Sequence, residues 1–510
     1  MKSNLRIETI GKKENAEVDD EPVSPTGQYF NSKALSLCIL AILESQVPID
    51  DSCAMLQLQE VFLPINSRFS SIMISDNKGV KQWKKVEVNL QDHLKVPKIP
   101  ENLSIDSYDK HFDEYMTKIT MHPLPQNRPL WEVHILKYPT SKAAGHLIFK
   151  LHHALGDGYS LMGALLSCVQ RVENPSIPLT FPSVRSSLEV KGKNTIMGVI
   201  RRVPRTLTAI LNGVCDFGWT FLKSTCIADD KTPIRSGNEG MSLYPSKLST
   251  LTLSLDQIKI IKAKLDTTVN DILAGIIFMG IRLYMQEIDT ETSKSQSTAL
   301  VLLNTRNIRG YMSIEEMTKT HTKLWGNQFA FLHVAMPKLI NDNFSNPLDF
   351  IYETQKQITR LRNSPAISLT AQCLEIARKC KGSEAVAELI YSTINKSSFG
   401  ITNLIGPTEQ VALANHPVKG IYFMVCGIPS SLAVTIMSYM RTITIGITVE
   451  KDYIDSQKLT SCVNKAFELI YEAAIKMSRY YAFGGATVTF GLELIYLAKF
   501  ALSKFIVSGK

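Results

Sequence analysis

The sequence predicts an α/β protein whose two halves each combine strands with helices. Its 510 residues are enough for two to four domains, and two large ones are the simplest division. Apolar and polar residues alternate over 145–151, as in a strand, and a helical pattern follows from Tyr159 to Arg171. Strand and helix patterns return between 245 and 478, so a second αβ-rich half is expected after the first.

The composition is that of an ordinary globular chain. Hydrophobic residues make up 45% and charged residues 20%, which excludes global disorder. The net charge of +9 is mild for this length, and it fits an anionic membrane surface or a phosphate-bearing ligand better than nucleic acid. The nine cysteines are scattered and include no CxxC pair. We therefore expect no disulfide framework and no metal site, and a reducing, cytosolic environment.

The first part of the chain predicts a tail, then a helix, then strands. Residues 1–21 are charged and lack the apolar core of a secretory signal, so they predict a disordered tail and a chain that faces the cytosol. An apolar stretch from Ala34 to Leu43 favours a helix, and 56–150 is strand-like. Along 145–151, Leu147, Phe149 and Leu151 fall on one face of the strand.

The segment 196–222 predicts an amphipathic helix that Pro204 should kink. Its broad apolar stripe and basic opposite face are typical of a helix that lies in a membrane interface. Charges interrupt the segment before it reaches the ~20 residues that a membrane span needs. We expect membrane contact here; the alternative is a surface helix packed on the core. The apolar tail 479–510 is a second candidate anchor.

The second half begins after a polar crossover linker at 229–244. A strong helix is predicted from Asn270 to Gln286, with Asn270 as its N-cap. Strands are predicted at Ala299–Asn304 and Arg441–Val449, and helices at 346–362 and 456–478. The predicted divisions are a tail at 1–21, an N-terminal lobe at 22–228, the linker at 229–244, a C-terminal lobe at 245–478 and the apolar tail at 479–510.

One motif carries recognisable chemistry. Residues 152–158 read HHALGDG and lie where the 145–151 strand ends and a helix begins. Strand alternation places His153 on the face of Leu151, and His152 on the opposite face, so the two rings do not share one metal ion. A histidine that faces a partly dry interior stays neutral near pH 7 and can act as a general base. Asp157 can fold back on this loop through an arginine or a backbone N–H and orient the ring.

This motif resembles HHxxxDG of the CoA-dependent acyltransferase superfamily, which includes chloramphenicol acetyltransferase. Further stretches make the chain similar to the plant branch of the wax ester synthase/diacylglycerol acyltransferase family. They occur in this order: Pro22–Pro25, Arg128–Glu132, Val269–Asp271, Asn304–Arg306, Trp325–Asn327 and Thr402–Pro407. The resemblance covers about 22–478. One departure is Thr402, where the family more often has Ser.

The resemblance implies a two-lobed fold like that of chloramphenicol acetyltransferase, with a tunnel between the lobes. It implies acyl-CoA as co-substrate with no cofactor, and a fatty alcohol or diacylglycerol as acceptor. It also implies a place on the cytosolic face of the endoplasmic reticulum membrane, with the cell membrane as a second location. No nucleic-acid partner is expected, and the oligomeric state is left open.

The resemblance also implies roles for single residues. His153 would be the general base for direct attack of the alcohol on the thioester, while His152 and Asp157 would orient or support it. Asn270 would be either an oxyanion donor or a plain N-cap. Residues expected around the substrates are Pro129, Leu130, Trp131, Gly158, Asn403 and Gly406. Asp271 and Arg306 are expected to form structural hydrogen bonds or ion pairs.

Two other functions stay open at this point. The first is a soluble transferase for phenolic alcohols or amines; its DFGWG motif is present only in part, as Asp216–Trp219 inside the amphipathic stripe. The second is a lipid-binding protein without catalysis, against which the intact His153 and Asp157 argue.

Overall fold

The computed structural model describes residues 21–76, 80–177, 179, 213–237, 245–306, 325–338 and 346–477. Within them the chain forms two large sheets and a small one. The small sheet pairs β4 (Lys81–Lys85) with β1 (Glu21–Pro22) and β3 (Ser71–Ser75). Each of the large sheets has its own apolar core, and these define two lobes.

The first large sheet has seven strands in the order β5-β6-β7-β2-β14-β13-β8. Their bounds are β5 Leu94–Lys95, β6 Trp131–Leu136, β7 Gly145–His152, β2 Cys38–Ser45, β14 His416–Cys426, β13 Val411–Leu413 and β8 Val169–Arg171. Two of these strands, β13 and β14, come from the predicted C-terminal lobe at 245–478. They pair with β8 and β2, so the chain returns to the first lobe late in the sequence.

The second large sheet has six strands in the order β11-β10-β12-β15-β16-β9. Their bounds are β11 Phe329–Ala335, β10 Thr298–Asn304, β12 Phe399–Ile405, β15 Leu432–Tyr439, β16 Thr442–Glu450 and β9 Ser246–Ser254. The predicted strands at Ala299–Asn304 and Arg441–Val449 are thereby confirmed within a residue or two at each end.

The longer helices pack around both sheets. They are Ile105–Met121, Gly158–Cys168, 213–225, Leu255–Leu265, Val269–Ile288, Asp349–Arg362, Ala366–Lys396 and 456–477. Short helical turns lie at Pro25–Phe30, Ala54–Gln57, Leu58–Phe62, Leu63–Ile65, Ser67–Ser70, Leu90–His93 and Thr292–Lys294. The helix Ala366–Lys396 is broken at Gly382, whose φ of 85° belongs to the left-handed region that glycine tolerates.

The predicted helix at Ala34–Leu43 is wrong. Most of this stretch is the strand β2, which lies between β7 and β14 in the middle of the first sheet. Because both of its faces are covered, the strand is apolar on both sides. Such a run lacks the alternation that distinguishes a half-exposed strand from a buried helix.

Two predicted helix ends also need correction. The helix predicted to reach Arg171 stops at Cys168, because Val169–Arg171 pairs with β13 as a strand. The N-cap of Val269–Ile288 is Thr268, not Asn270: the Thr268 hydroxyl accepts from the Asp271 backbone N–H, and the Asp271 carboxylate accepts from the Thr268 backbone N–H.

Several predicted segments lie wholly or partly outside the described residues. They are nearly all of the tail at 1–21, residues 196–212 of the amphipathic stripe, 238–244 of the crossover linker and the apolar tail at 479–510. Of the described helices, none alone combines the length and apolar composition of a membrane span. Two consecutive helices reach the length and apolar composition of a membrane span only when they are taken together, Leu255–Leu265 and Val269–Ile288. Their axes are bent by 102° at the break between them.

Candidate active site

His153 lies at the interface of the two lobes, directly after the last residue of β7. Its backbone N–H donates to the Leu37 carbonyl at 2.8 Å, which continues the pairing of β7 with β2 past the end of the strand. Leu37, just before β2, and Ile39, within it, line the same cavity as the His153 ring. Because Ile39 stands opposite Leu151, the ring lies on the Leu151 face, as strand alternation predicts.

Asn327 of the second lobe determines which nitrogen of the His153 ring carries the proton. Its Nδ2 donates to the His153 carbonyl at 2.9 Å, and a carbonyl can only accept. Its Oδ1 therefore faces Nδ1 of the ring, at 2.8 Å, and must accept from it. The proton of the neutral ring is thus on Nδ1, and Nε2 keeps the free lone pair that a general base needs.

Aromatic rings enclose the imidazole. The Phe30 ring lies 4.7 Å from it and the Phe329 ring 5.8 Å, measured between ring centroids. Burial in this setting lowers the pKa of His153 below its usual range, and the nearby Asp157 carboxylate opposes that effect only in part. The ring is therefore neutral at pH 7.

His152 lies in a different environment from His153. Its Nε2 is 3.2 Å from the Ser36 hydroxyl, and its Nδ1 accepts from the Ala154 backbone N–H at 3.1 Å. Burial lowers its pKa to about 3. Both nitrogens of His152 are thus engaged within the first lobe, which suits a residue that shapes the turn.

The Asp157 carboxylate binds the second lobe rather than the imidazole. Arg306 donates to it twice, from Nη1 to Oδ2 at 2.7 Å and from Nη2 to Oδ1 at 3.0 Å. The Gln328 backbone N–H donates to Oδ2 at 2.9 Å, and the Ser160 backbone N–H to Oδ1 at 3.1 Å. The last of these bonds makes Asp157 the N-cap of Gly158–Cys168. Asp157 therefore holds the loop through an arginine and backbone N–H groups.

The segment 325–328 fastens the second lobe to the motif loop. The Gly326 carbonyl accepts from Ser160 Oγ at 3.1 Å and from Arg306 Nη2 at 2.6 Å. The indole Nε1 of Trp325 donates to the Leu155 carbonyl at 2.9 Å. The polar groups of this turn are thereby satisfied across the lobe boundary, and Asn327 is held against His153.

The cavity in front of His153 lies between the two sheets and has a volume of about 370 Å³. Most of its wall is apolar, from β2, β10, β11, β12, β14 and β15. Polar groups come mainly from the motif loop, from Asn304 and Arg306 at the end of β10, and from Thr402 and Asn403 within β12. A site of this kind suits a mostly hydrocarbon ligand with one reacting polar centre.

The remaining predicted substrate residues fall into two groups. Gly158 and Asn403 line this cavity. Pro129, Leu130, Trp131 and Gly406 are not among the residues that line it; Leu130 and Trp131 belong to the core of the first lobe. Trp131 donates from Nε1 to the Phe69 carbonyl at 2.8 Å, and the Leu130 carbonyl accepts from the His152 backbone N–H at 3.0 Å. These two residues, at and just before the start of the neighbouring strand β6, support the motif strand from the side, and their predicted contact with substrate stays a prediction.

Gly406 permits a close approach of strands. A Cβ at this position would lie 2.3 Å from the Ser438 carbonyl oxygen of β15. Its backbone N–H donates to that same oxygen at 2.9 Å. The glycine is therefore explained by backbone packing beside the cavity.

Asn270 is not among the residues that line the cavity, but it contacts Asn403, which does line it. It is exposed at the second position of its helix, and its Oδ1 accepts from Asn403 Nδ2 at 2.6 Å. Its role as an oxyanion donor stays a prediction. Asp271 and Arg306 form the hydrogen bonds and the ion pair that the sequence led us to expect.

Three residues that matter to the geometry were absent from the predicted site. Asn327 was visible only as part of the Trp325–Asn327 stretch, and no rule of spacing connects it to His153. Phe30 and Phe329 carry no sequence signal for a place beside the imidazole, because 123 and 176 residues separate them from it. Only the fold brings them together.

Among the described residues, no three His, Cys, Asp or Glu side chains are grouped so that they could hold a metal ion. All nine cysteines are free thiols.

Two family models match this chain. Residues 55–273 match the wax ester synthase/diacylglycerol acyltransferase catalytic domain, and residues 325–471 match the C-terminal domain of the same family. Among curated proteins, wax ester synthase/diacylglycerol acyltransferase 4 of Arabidopsis thaliana is 28% identical over 481 residues, covering 90% of this chain and 91% of its own. Wax ester synthase/diacylglycerol acyltransferase 7 of the same plant is 29% identical over 454 residues, covering 85% and 93%.

Solved structures share the fold. The wax ester synthase/diacylglycerol acyltransferase from Marinobacter aquaeolei VT8 superposes with a TM-score of 0.55 at 14% identity, covering 89% of this chain and 99% of its own. The first condensation domain of the CDA synthetase superposes with a TM-score of 0.51 at 12% identity, covering 90% and 97%. The predicted two-lobed architecture is confirmed by these likenesses.

Proposed function

Because this chain belongs to the plant branch of the wax ester synthase/diacylglycerol acyltransferase family and is an acyltransferase, we propose a specific reaction for it. The donor is a fatty acyl-CoA. The acceptor is a long-chain fatty alcohol, which gives a wax ester, or diacylglycerol, which gives triacylglycerol. His153 is the general base, and the acyl group passes directly from one substrate to the other.

One observation carries this proposal: a neutral imidazole whose Nδ1 is held by Asn327 lines a largely apolar cavity between the lobes. The Asn327 hydrogen bonds leave Nε2 as the basic nitrogen. Burial lowers the pKa of His153, so the ring is in its basic form at physiological pH. An apolar cavity favours substrates whose bulk is hydrocarbon.

The chemistry balances without a protein nucleophile. Nε2 of His153 takes the hydroxyl proton as the alcohol oxygen attacks the thioester carbonyl carbon. The C–O bond forms, and the tetrahedral intermediate then collapses with cleavage of the C–S bond. The imidazolium returns its proton to the departing CoA thiolate, so the enzyme ends as it began. General base catalysis of this type is worth about 10²–10⁴-fold in rate.

The other residues of the motif position this base. Asn327 keeps the ring in one tautomer and one orientation. Asp157 and Arg306 hold the loop against the second lobe. The position of His153 relative to the opposite wall of the cavity is therefore fixed. A misplacement of the base by about 1 Å can cost about 10²-fold in rate, which is why this bracing matters.

We propose that the enzyme works at a membrane surface, on the cytosolic face of the endoplasmic reticulum or at the cell membrane. The proposed acceptors reside in bilayers. The helix 213–225 contains the described part of the amphipathic stripe, 213–222, which exposes Val214, Trp219, Phe221 and Leu222. Apolar side chains on one helix are typical of interfacial binding.

A membrane-fraction assay with labelled acyl-CoA tests the function. Wild type should esterify fatty alcohol, diacylglycerol or both, and His153→Ala should not. Phenolic alcohols and amines serve as competing acceptors in parallel reactions. Preference for those acceptors would overturn the proposed substrate class, and absence of product with every acceptor in folded protein would favour a lipid-binding role.

A further inference from the structure

We propose that the first part of the broken helix Ala366–Lys396 is a hinged cover over one wall of the cavity, and that contact with a membrane surface displaces it and so activates the enzyme. We call residues 366–381 the cover and residues 383–396 the fixed part. The inference rests on the proposed function, because it explains how a bilayer regulates access to His153.

Gly382 separates the cover from the fixed part. Its φ of 85° and ψ of 174° are not helical, and they belong to a region of backbone conformation that is essentially restricted to glycine. A Cβ at this position would have no atom of the described residues within 4 Å beyond its own chain neighbours. The backbone conformation, not packing, therefore requires glycine here. Such a residue can absorb the change in φ and ψ of a hinge motion.

The fixed part is fastened to the first lobe. The Glu384 carboxylate accepts from the backbone N–H groups of Lys33 and Ala34 at 3.0 and 3.2 Å. The hydroxyl of Ser383 donates to Gln28 Oε1 at 3.1 Å. The fixed part also buries several side chains in the protein, namely Val386, Ala387, Ile390, Thr393 and Ile394. It therefore stays in place when the cover moves.

The cover is held much more lightly. Apart from Ala366 at its first position, none of its residues is buried. Among the described residues, the hydrogen bonds and ion pairs of its side chains stay within the cover: Glu375 accepts from Arg378 at 2.6 and 2.8 Å and lies 3.7 Å from Lys379. Segments with few buried contacts open locally at a low cost in free energy.

The inner face of the cover lies on a wall of the cavity. Leu374 and Ala377 pack against a cluster of buried residues. Four members of this cluster also line the cavity, namely Phe30, Leu37, Leu300 and Ile394. The Phe30 ring is 4.7 Å from the His153 ring between centroids. Displacement of the cover would therefore uncover the wall that encloses the candidate base.

The outer face of the cover is exposed. Cys373, Ile376 and Cys380 follow one another at helical spacing, so they share this face. Ile376 is 61% exposed, the highest value among the large apolar side chains of the described chain. The cover carries three basic residues and one acidic residue. An apolar side chain within a basic segment suits the surface of an anionic bilayer.

A second exposed apolar surface adjoins the start of the cover. A Cβ at Gly213 would lie 2.4 Å from Pro365 Cγ, and Asp216 Oδ1 is 2.9 Å from Arg360 Nη1. The helix 213–225 is thereby packed beside the cover, and its Val214 is 57% exposed. Two adjoining elements thus present apolar side chains to the solvent, which favours a lipid surface as their common partner.

A membrane displaces the cover only if it binds the open state better than the closed state. Opening exposes the inner residues Leu374 and Ala377, which is unfavourable in water but not in contact with hydrocarbon. The bilayer therefore supplies the necessary difference in affinity. An open state that is about 10% populated in water permits activation of about tenfold.

Activation can be measured with dissolved substrates. Ester formation from hexanoyl-CoA and hexanol is followed with and without vesicles of phosphatidylcholine and phosphatidylserine. These vesicles contain no acceptor, so an increase in rate reflects the enzyme and not the delivery of substrate. Wild type should be activated about tenfold, by the population argument above. Absence of activation would overturn the inference.

Ile376→Ser tests the outer face of the cover. At a vesicle concentration that half-activates wild type, this variant should lose most of the activation and keep the rate measured without vesicles. Ile260→Ser is the matched control, because Ile260 is an exposed isoleucine on another helix, Leu255–Leu265. It should keep both rates. Equal activation of Ile376→Ser and wild type would contradict the assigned surface.

Gly382→Ala tests the hinge. Alanine disfavours the backbone conformation of the closed state, so the rate without vesicles should rise toward the activated rate, and the activation ratio should shrink. A merely structural role of Gly382 would instead lower both rates together with the melting temperature and leave their ratio unchanged. An unchanged ratio would therefore refute the hinge.

Thiol labelling detects opening without ester formation. Ala377→Cys is introduced together with Cys373→Ser and Cys380→Ser, and labelling by a bulky maleimide is followed at the level of single peptides. Vesicles should accelerate labelling at position 377 several-fold. Ala387→Cys, at a buried position of the fixed part, is the control and should stay unlabelled. If no ester forms but vesicles accelerate labelling, the function fails and the cover stands. If ester forms and vesicles change neither labelling nor rate, the cover fails and the function stands.

Discussion

Arg306 and Asp157 form a buried ion pair that joins the two lobes at the loop carrying His153. Both contacts are short, 2.7 and 3.0 Å, and Arg306 also lies 4.9 Å above the Tyr159 ring. Removal of one partner from such a pair costs about 3–5 kcal/mol, because the other is left charged and buried. The conformation of the motif loop is therefore a property of both lobes together.

Substitution of the two motif histidines should separate their roles. His153→Ala should lower kcat by about 10²–10⁴-fold with little loss of folded protein, since the base is lost and the strand remains. His152→Ala should act mainly through stability, because both of its ring nitrogens hold the turn. Turnover and melting temperature should be measured on both. Equal losses of turnover at equal stability would contradict distinct roles.

Asn327→Asp should change the pH dependence of the reaction. A carboxylate beside Nδ1 favours the imidazolium, so the pKa of His153 should rise. The base is active only when neutral, hence the acidic limb of the kcat profile should move to higher pH. Asn327→Ala is the control: it removes the orientation of the ring without adding charge. An acidic limb in the same position for wild type and Asn327→Asp would refute the assigned contact.

Acid should destabilise this protein partly through His333. Burial lowers its pKa to about 4, and neither ring nitrogen has a hydrogen-bond partner among the described residues. Below pH ~6.5 His333 of the unfolded chain binds a proton, whereas His333 of the folded chain stays neutral until the pH nears 4. The free energy of unfolding therefore falls as the pH falls toward 4. His333→Leu should therefore make the loss of melting temperature between pH 7 and 5 less steep. An equally steep loss in that variant would show that other groups control it.

Membrane association should depend on the exposed apolar residues of 213–225. Replacing Trp219, Phe221 and Leu222 together with Ser should weaken membrane binding by about 1.5–3 kcal/mol for each side chain that inserts. The variant should then shift from the membrane pellet to the supernatant. Ile288→Ser, at an exposed position elsewhere, is the control. If the triple variant still pellets, deletion of 480–510 shows whether the tail is the anchor.

Direct transfer predicts that no acyl-enzyme forms. Double-reciprocal plots at several fixed alcohol concentrations should intersect, since parallel lines indicate ping-pong transfer. Enzyme incubated with labelled acyl-CoA and no alcohol should carry no label after denaturation. Stoichiometric label on a serine or cysteine would make His153 the activator of that nucleophile instead.

The sequence by itself determined the family, the two-lobed fold and the position of the candidate base. HHALGDG places His153 at a strand end, and alternation gives the ring its face, because both are local properties of the backbone. The sequence was misleading where burial on both faces removes the alternation of apolar and polar residues. The strand β2 is apolar on both sides, and its continuous apolar run gave no sign of a central strand.

Tertiary structure alone decided what surrounds the base. Asn327 reaches His153 from 174 residues away, and Arg306 reaches Asp157 from 149. The strands β13 and β14 return to the first sheet from the second half of the chain. Likewise, Leu404 of β12 lies against Gly158 only because the two lobes pack together. Contacts of this kind depend on how distant elements pack, and no periodicity or spacing within a single segment encodes them.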